Sequence, residues 1–237
     1  EDGDKKRAAR FYKIASENGN SEAMFRYAKM VIKGDGVEIN YKEASEYFKK
    51  ASDEGHLDAT YCYANCLYEG IGVEKDLEAS AEYYKMAADK GHSDSMNIYA
   101  NMLLKGNGVE KNKEMAMGYL KSAIDNDQFF ALYTYGLILL EEHNQEGIDF
   151  IKMAADKGHV YASIYYADYL IKQDDPNNSD MILEYMKVGV DNDDADSIFK
   201  YGSLFYYGLY GVKINKNKGM KYIKLAYEKG HEGAKEF

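Results

Sequence analysis

ASEYFKKASDEGHLDATYCYANCLYEGIGVE, residues 44–74, has a near copy beginning 36 residues earlier, over residues 8–38, and another beginning 36 residues later, over residues 80–110. Numbering each copy from its turn residue extends the pattern along the whole chain: Gly19, Gly55, Gly91, Asp127, Gly158, Asp193 and Gly230, spaced 36, 36, 36, 31, 35 and 37 apart. Eight residues after the first six of these stands a tyrosine (Tyr27, Tyr63, Tyr99, Tyr135, Tyr166, Tyr201), each followed by Ala or Gly. Eight residues before every turn stands an aromatic (Phe11, Tyr47, Tyr83, Tyr119, Phe150, Tyr185, Tyr222), and four before it a small residue, Ala or Gly. A fixed period of this length marks a stack of like units.

The offsets within a unit are helical. Apolar residues at −8, −7 and −4 before the turn, and at +4, +8 and +12 after it, form two stripes with steps of three and four, each the buried face of an amphipathic helix. Every unit is therefore a helical hairpin. The Gly-His turn (Gly55-His56, Gly91-His92, Gly158-His159, Gly230-His231) ends the first helix in the left-handed conformation that glycine takes without strain. The Gly-x-Gly-Val loop ends the second, and Asn40, Asp76, Asn112 and Asn215 fall where the next helix needs an N-cap.

Paired glycines also suggest a phosphate-binding loop, as in LYEGIGVEKD at 67–76. No strand precedes them, however, and the third glycine of a dinucleotide fingerprint is replaced by Ile39, Lys75 and Lys111. They read as helix-terminating joints.

A single hairpin cannot bury its own apolar face, so the units must stack on one continuous core. The expected fold is all-α: a right-handed α/α solenoid of about six and a half hairpins forming a single repeat domain over 1–237, with units near 4–38, 39–74, 75–110, 111–143, 144–175, 176–213 and a partial 214–237. Asp4 takes an N-cap position, and HEGAKEF at 231–237 enters a second helix, so both ends fall inside the repeat register, as in a segment of a longer array. Residues 141–147 and 172–180 depart from the standard loop and are expected to kink or flatten the stack.

The formal net charge of −10 argues against nucleic acid or an anionic membrane as the main partner and leaves a basic protein or peptide open. No apolar run approaches the ~20 residues of a membrane helix. Cys62 and Cys66, four apart on one helix face, suit apolar packing better than redox or metal chemistry and point to a reducing, cytoplasmic setting. The histidines of the turns invite a metal reading, but stacking holds equivalent residues ~8–10 Å apart, too far to share one ion. DNDDAD at 191–196 lacks the oxygen ligand and the glycine of a calcium loop, because Ala195 and Asp196 stand in their places. No catalytic, cofactor-binding or metal residues are assigned.

Residues 44–74 resemble the Sel-one-like repeat, a paired-helix family related to the tetratricopeptide type, with its A-x-x-Y-Y-x-x-A-A pattern, then G, then A, then G-x-G-V. The likeness implies adaptor work: a non-catalytic scaffold gathering other proteins. In related solenoids the first helix of each unit lines the concave side. On those helices the −9 and −5 positions combine into a groove with an apolar floor and acidic walls, suited to an extended or helical basic peptide. Its residues are Glu46, Lys50, Glu82, Met86, Ser122, Asp149, Met153, Glu184 and Val188. The alternative class is a regulatory or catalytic repeat region of a larger hydrolase or transferase, and end-to-end self-association of uncapped ends is a third reading.

One charge pattern recurs in every unit: lysine at −6 and an acid at −2, as in Lys85 and Asp89. An acid in the last turn of a helix opposes its dipole, so a nonlocal role is expected. The reading adopted here has the acid capping the free N–H groups of the following helix, in which case Asp89→Asn costs about 0.5–2 kcal/mol.

Overall fold

The computed structural model describes residues 2–237, which contain thirteen α-helices and no strand. They fall into two compact units, one ending at Gln128 and the other beginning at Phe129. The first holds α1 (Asp2–Glu17), α2 (Ser21–Lys33), α3 (Tyr41–Asp53), α4 (Leu57–Glu69), α5 (Leu77–Asp89), α6 (Ser93–Lys105) and α7 (Lys113–Asp125). The second holds α8 (Phe130–Glu141), α9 (Gly147–Asp156), α10 (Val160–Gln173), α11 (Ser179–Asp191), α12 (Ala195–Tyr207) and α13 (Lys216–Glu228), with 3-10 turns at Pro176–Asn178, Leu209–Gly211 and Glu232–Glu236. Among the described residues no helix is long and apolar enough to cross a membrane.

Both predicted stripes pack inward from α2 onward, whereas on α1 Phe11 and Tyr12 are exposed. On the first helices the −7 residues Phe48, Tyr84, Leu120, Ile151, Met186 and Ile223 are almost fully enclosed, as are the −4 alanines Ala51, Ala87, Ala123, Ala154 and Ala226. Each such large side chain stabilises the fold by about 1.5–3 kcal/mol. Small residues at −4 let helices approach closely, and the gap is filled by rings. The +8 tyrosine of one hairpin meets the −8 aromatic of the next edge to face: Tyr27–Tyr47, Tyr63–Tyr83, Tyr99–Tyr119, Tyr135–Phe150, Tyr166–Tyr185 and Tyr201–Tyr222, with centroids 4.8–5.1 Å apart and planes at 79–86°. That geometry opposes the positive ring edge to the negative ring face. The six joints are near copies of one another, as the repeat register requires.

All seven turn residues adopt positive φ, from 60° at Asp127 and 62° at Asp193 to 92° at Gly91. The paired glycines divide their work. The first takes the left-handed C-cap, its N–H returning to the carbonyl four residues back, as Gly70 does to Cys66. The second admits a close approach: a Cβ on Gly72 or Gly108 would sit 2.0 Å from the carbonyl oxygen of Tyr41 or Leu77. The loop backbone therefore lies directly on the first turn of its own hairpin's first helix. Asn40, Asp76, Asn112 and Asn215 accept backbone N–H bonds three residues on, as N-caps do.

Two end assignments need correction. Asp4 is no N-cap, because α1 already includes Asp2 and extends through it. Residues of HEGAKEF form a 3-10 turn, Glu232–Glu236, instead of the start of an α-helix. The irregular loops close in their own ways: His143 (φ 60°) turns the chain between α8 and α9, while Asp174 (φ 49°) and the turn begun by Pro176 join α10 to α11.

Candidate functional site

The turn histidines have a defined job. Nδ1 of His56, His92 and His159 accepts the backbone N–H of Ala59, Ser95 and Ala162 at 3.1–3.2 Å. Asn20 and Asp194 do the same in their own hairpins through side-chain oxygens. Each imidazole also lies against a ring of the preceding hairpin: His56 on Phe25, His92 on Tyr61, His159 on Tyr133 and His231 on Phe199, at 4.2–4.9 Å. At His231 Nδ1 is buried and has no hydrogen-bond partner among the described residues; at the other three Nδ1 is an acceptor, so the neutral ring carries its proton on Nε2. Nε2 faces an acid of the previous hairpin in three of the four cases: Glu22 at 2.8 Å from His56, Asp58 at 3.8 Å from His92 and Asp196 at 3.3 Å from His231.

The capping role proposed for the −2 acids is thereby overturned at α2, α4, α6, α10 and α12, whose N-termini are already capped by the residue after the turn, while α8 has no side-chain cap. The acids act elsewhere. Lys49–Asp53, Lys85–Asp89, Lys152–Asp156 and Lys187–Asp191 close as i,i+4 ion pairs. Asp89 also accepts the hydroxyl of Tyr119 at 2.6 Å, and Asp156 that of Tyr185. Both partners are −8 tyrosines of the next hairpin, so the nonlocal interaction crosses the joint. The Lys85 ammonium, then the Tyr119 hydroxyl, hold Asp89 below the usual carboxylate range. Burial, then Asp156, pushes Tyr185 up to about 12. Lys13 departs from the pattern by reaching Glu43 at 3.3 Å.

The two cysteines pack as anticipated. Burial pushes Cys62 up to about 12 and Cys66 to about 11, so neither is a thiolate near neutrality.

The candidate groove residues lie on first helices: Glu46 and Lys50 on α3, Glu82 and Met86 on α5 and Ser122 on α7 in the first unit; Asp149 and Met153 on α9 and Glu184 and Val188 on α11 in the second. All are exposed except the half-buried Val188. Met86 and Met153 leave 44% and 46% of their surface to solvent. Within each of α3, α5, α9 and α11 the acid and the −5 residue are one turn apart and share a face. Lys50 lays its ammonium over Tyr47 at 5.1 Å, and Ser122 bonds back to the Gly118 carbonyl at 3.1 Å.

A further cluster escaped the repeat reading. Position +3 is acidic at Glu22, Asp58, Asp94 and Asp196, but Phe130 and Tyr161 occupy it in two successive hairpins. Their rings gather around His159, at 5.5 and 6.2 Å. The signal was present in the sequence as a broken pattern of acids.

Comparison with known proteins bears on the fold. No curated protein matches the chain. Among solved structures, a protective antigen of uropathogenic Escherichia coli strains displaying an SLR fold superposes with a TM-score of 0.81 at 20% identity, over 97% of this chain and 50% of that one. This chain thus spans half the length of that relative. A Sel1 repeat protein from Oxalobacter formigenes gives 0.75 at 21% identity over 88% and 85%, and an immunity protein from Pseudomonas aeruginosa 0.54 at 20% over 90% and 83%. The Sel1 repeat model matches residues 2–20, 21–56, 57–92, 93–128, 131–159 and 195–231. Its register runs from the second helix of one hairpin through the first helix of the next, so that each full match contains one edge-to-face ring joint. Sel1 repeats are generally non-catalytic scaffolds for protein–protein interaction. With that match over most of its length, and with the same joint recurring in both units, the chain belongs to the Sel1 repeat family and is a helical solenoid.

Proposed function

We propose that this chain is a scaffold that binds a protein or peptide partner along the exposed −9 and −5 positions of its first helices, and that the partner is basic. The observation carrying this reading is the pairing of a solvent-exposed methionine with a carboxylate one turn away: Met86 with Glu82 in the first unit, Met153 with Asp149 in the second. Methionine is unbranched and polarizable, so it adapts to varied apolar surfaces. The neighbouring acids select lysine and arginine and speed their approach. Nothing in this role calls for a nucleophile or a cofactor.

A fluorescein-labelled peptide of alternating Leu and Lys tests it by anisotropy with the intact chain. Binding should weaken steadily between about 50 and 300 mM salt as charges are screened, and the double variant Glu46→Lys, Glu82→Lys should bind about tenfold more weakly. Affinity indifferent to both changes would exclude the acidic first-helix face as the docking surface.

A further inference from the structure

The aromatic cluster around His159 lies on the second helices and not on the face discussed above. Five side chains compose it: Phe130 and Tyr133 from α8, His159 at the turn, and Tyr161 and Tyr165 from α10. Their rings form a connected set, with Phe130–His159 at 5.5 Å, Tyr133–His159 at 4.9 Å, His159–Tyr161 at 6.2 Å and Tyr133–Tyr165 at 6.4 Å. Three are well exposed: Tyr161 at 70%, Phe130 at 49% and Tyr165 at 36%. An exposed cluster of large rings on a surface otherwise rich in charge marks a contact site.

The sibling hairpins show what is different here. His56, His92 and His231 each direct Nε2 toward a carboxylate of the preceding hairpin. At His159 the corresponding residue is Phe130, and its Nε2 makes no hydrogen bond among the described residues. Because Nδ1 accepts from Ala162, the Nε2 N–H is a fixed donor. The site therefore offers one hydrogen-bond donor framed by aromatic faces.

That chemistry discriminates among ligands. A cation would meet the positive end of the N–H where sibling hairpins keep an acid. An anion would meet the negative faces of four rings on a chain of net charge −10. A neutral segment rich in acceptors and apolar rings has neither difficulty. Polyproline II helices are of this kind: their carbonyls lack internal partners, proline has no N–H to satisfy, and the rings stack on tyrosine and phenylalanine at little entropic cost. We propose that Phe130, Tyr133, His159, Tyr161 and Tyr165 form a docking site for a proline-rich segment of a partner protein, with a proline carbonyl accepting from His159 Nε2.

The probe is decaproline, titrated into the 15N-labelled intact chain. Saturable shifts are expected at the amides of residues 159–165. Tyr161→Ala removes an exposed ring. His159→Asn removes the donor yet keeps the N-cap, as Asn20 does at the same position of the first hairpin. Each should weaken binding about tenfold with melting little changed, while Glu46→Lys, Glu82→Lys should leave decaproline binding intact. The assignment is overturned if decaproline gives no saturable shifts at millimolar concentration, if both cluster variants bind it as the parent does, or if hexa-arginine or hexa-aspartate binds at these amides more tightly.

Discussion

A histidine following a glycine is an unremarkable dipeptide, and what it does at residues 56, 92 and 159 depends on which nitrogen is free. Nδ1 is committed to a helix N-terminus in all three, and at His159 protonating it means giving up the cap. For His159 burial adds to the resistance and lowers its proton affinity below the ordinary value near 6.5. The sign follows by linkage: the unfolded chain takes up the proton first, so stability present above about pH 6.5 is lost as pH falls toward the folded-state value. His159→Asn keeps a cap without a titrating ring. Its melting temperature should fall less than the parent's between pH 7.5 and 5.5, above the range in which the paired carboxylates titrate. Equal falls would mean that His159 carries no such linkage. The sequence placed these histidines at turns and read them as structural. It could not separate their capping role from that of the nearby acids, because both types stand within reach of the same N–H groups, and only the fold shows the acids turned toward Tyr119 and Tyr185.

At the scale of the element, the loop glycines show how two identical letters meet different constraints. Gly91 needs only its positive φ, since a Cβ there would touch nothing. Gly108 needs that conformation and also the missing side chain, because the backbone of Leu77 occupies the space. Gly91→Ala should therefore cost about 1–2 kcal/mol, the strain of a left-handed alanine, whereas Gly108→Ala should cost about 3–5 kcal/mol as backbone collision is added to strain. Urea unfolding compares them, and equal losses would refute the close-approach account. Helix existence, the N-caps Asn40, Asp76, Asn112 and Asn215, and the left-handed turns were all legible from spacing alone, because each depends on residues within one or two turns. The close approach was not, for it joins residues more than thirty positions apart.

At the scale of the whole molecule the arrangement is modular, and damage should remain near its origin. Tyr63 serves a single ring joint, with Tyr83. Tyr63→Ala should cost about 3–5 kcal/mol and speed amide exchange in α4 and α5, leaving α12 and α13 as protected as before. A uniform rise in exchange along the chain would argue for one indivisible folding unit. The periodic sequence revealed this modularity because every brick repeats the same chemistry. The aromatic surface around His159 was harder to recognise, since it consists of departures from the repeat and acquires meaning only when Phe130, Tyr161 and Tyr165 are seen to share one neighbourhood.

The ring joints carry a consequence for spectroscopy. The chain has 24 tyrosines and no tryptophan, and six of the most tightly held rings among them face another aromatic in the same perpendicular pose. Near-ultraviolet circular dichroism around 275 nm, the tyrosine band, should thus report chiefly on seams between neighbouring bricks, while the far-ultraviolet signal reports on the helices themselves. If the two bands fade at different denaturant concentrations, the bricks part company before they melt.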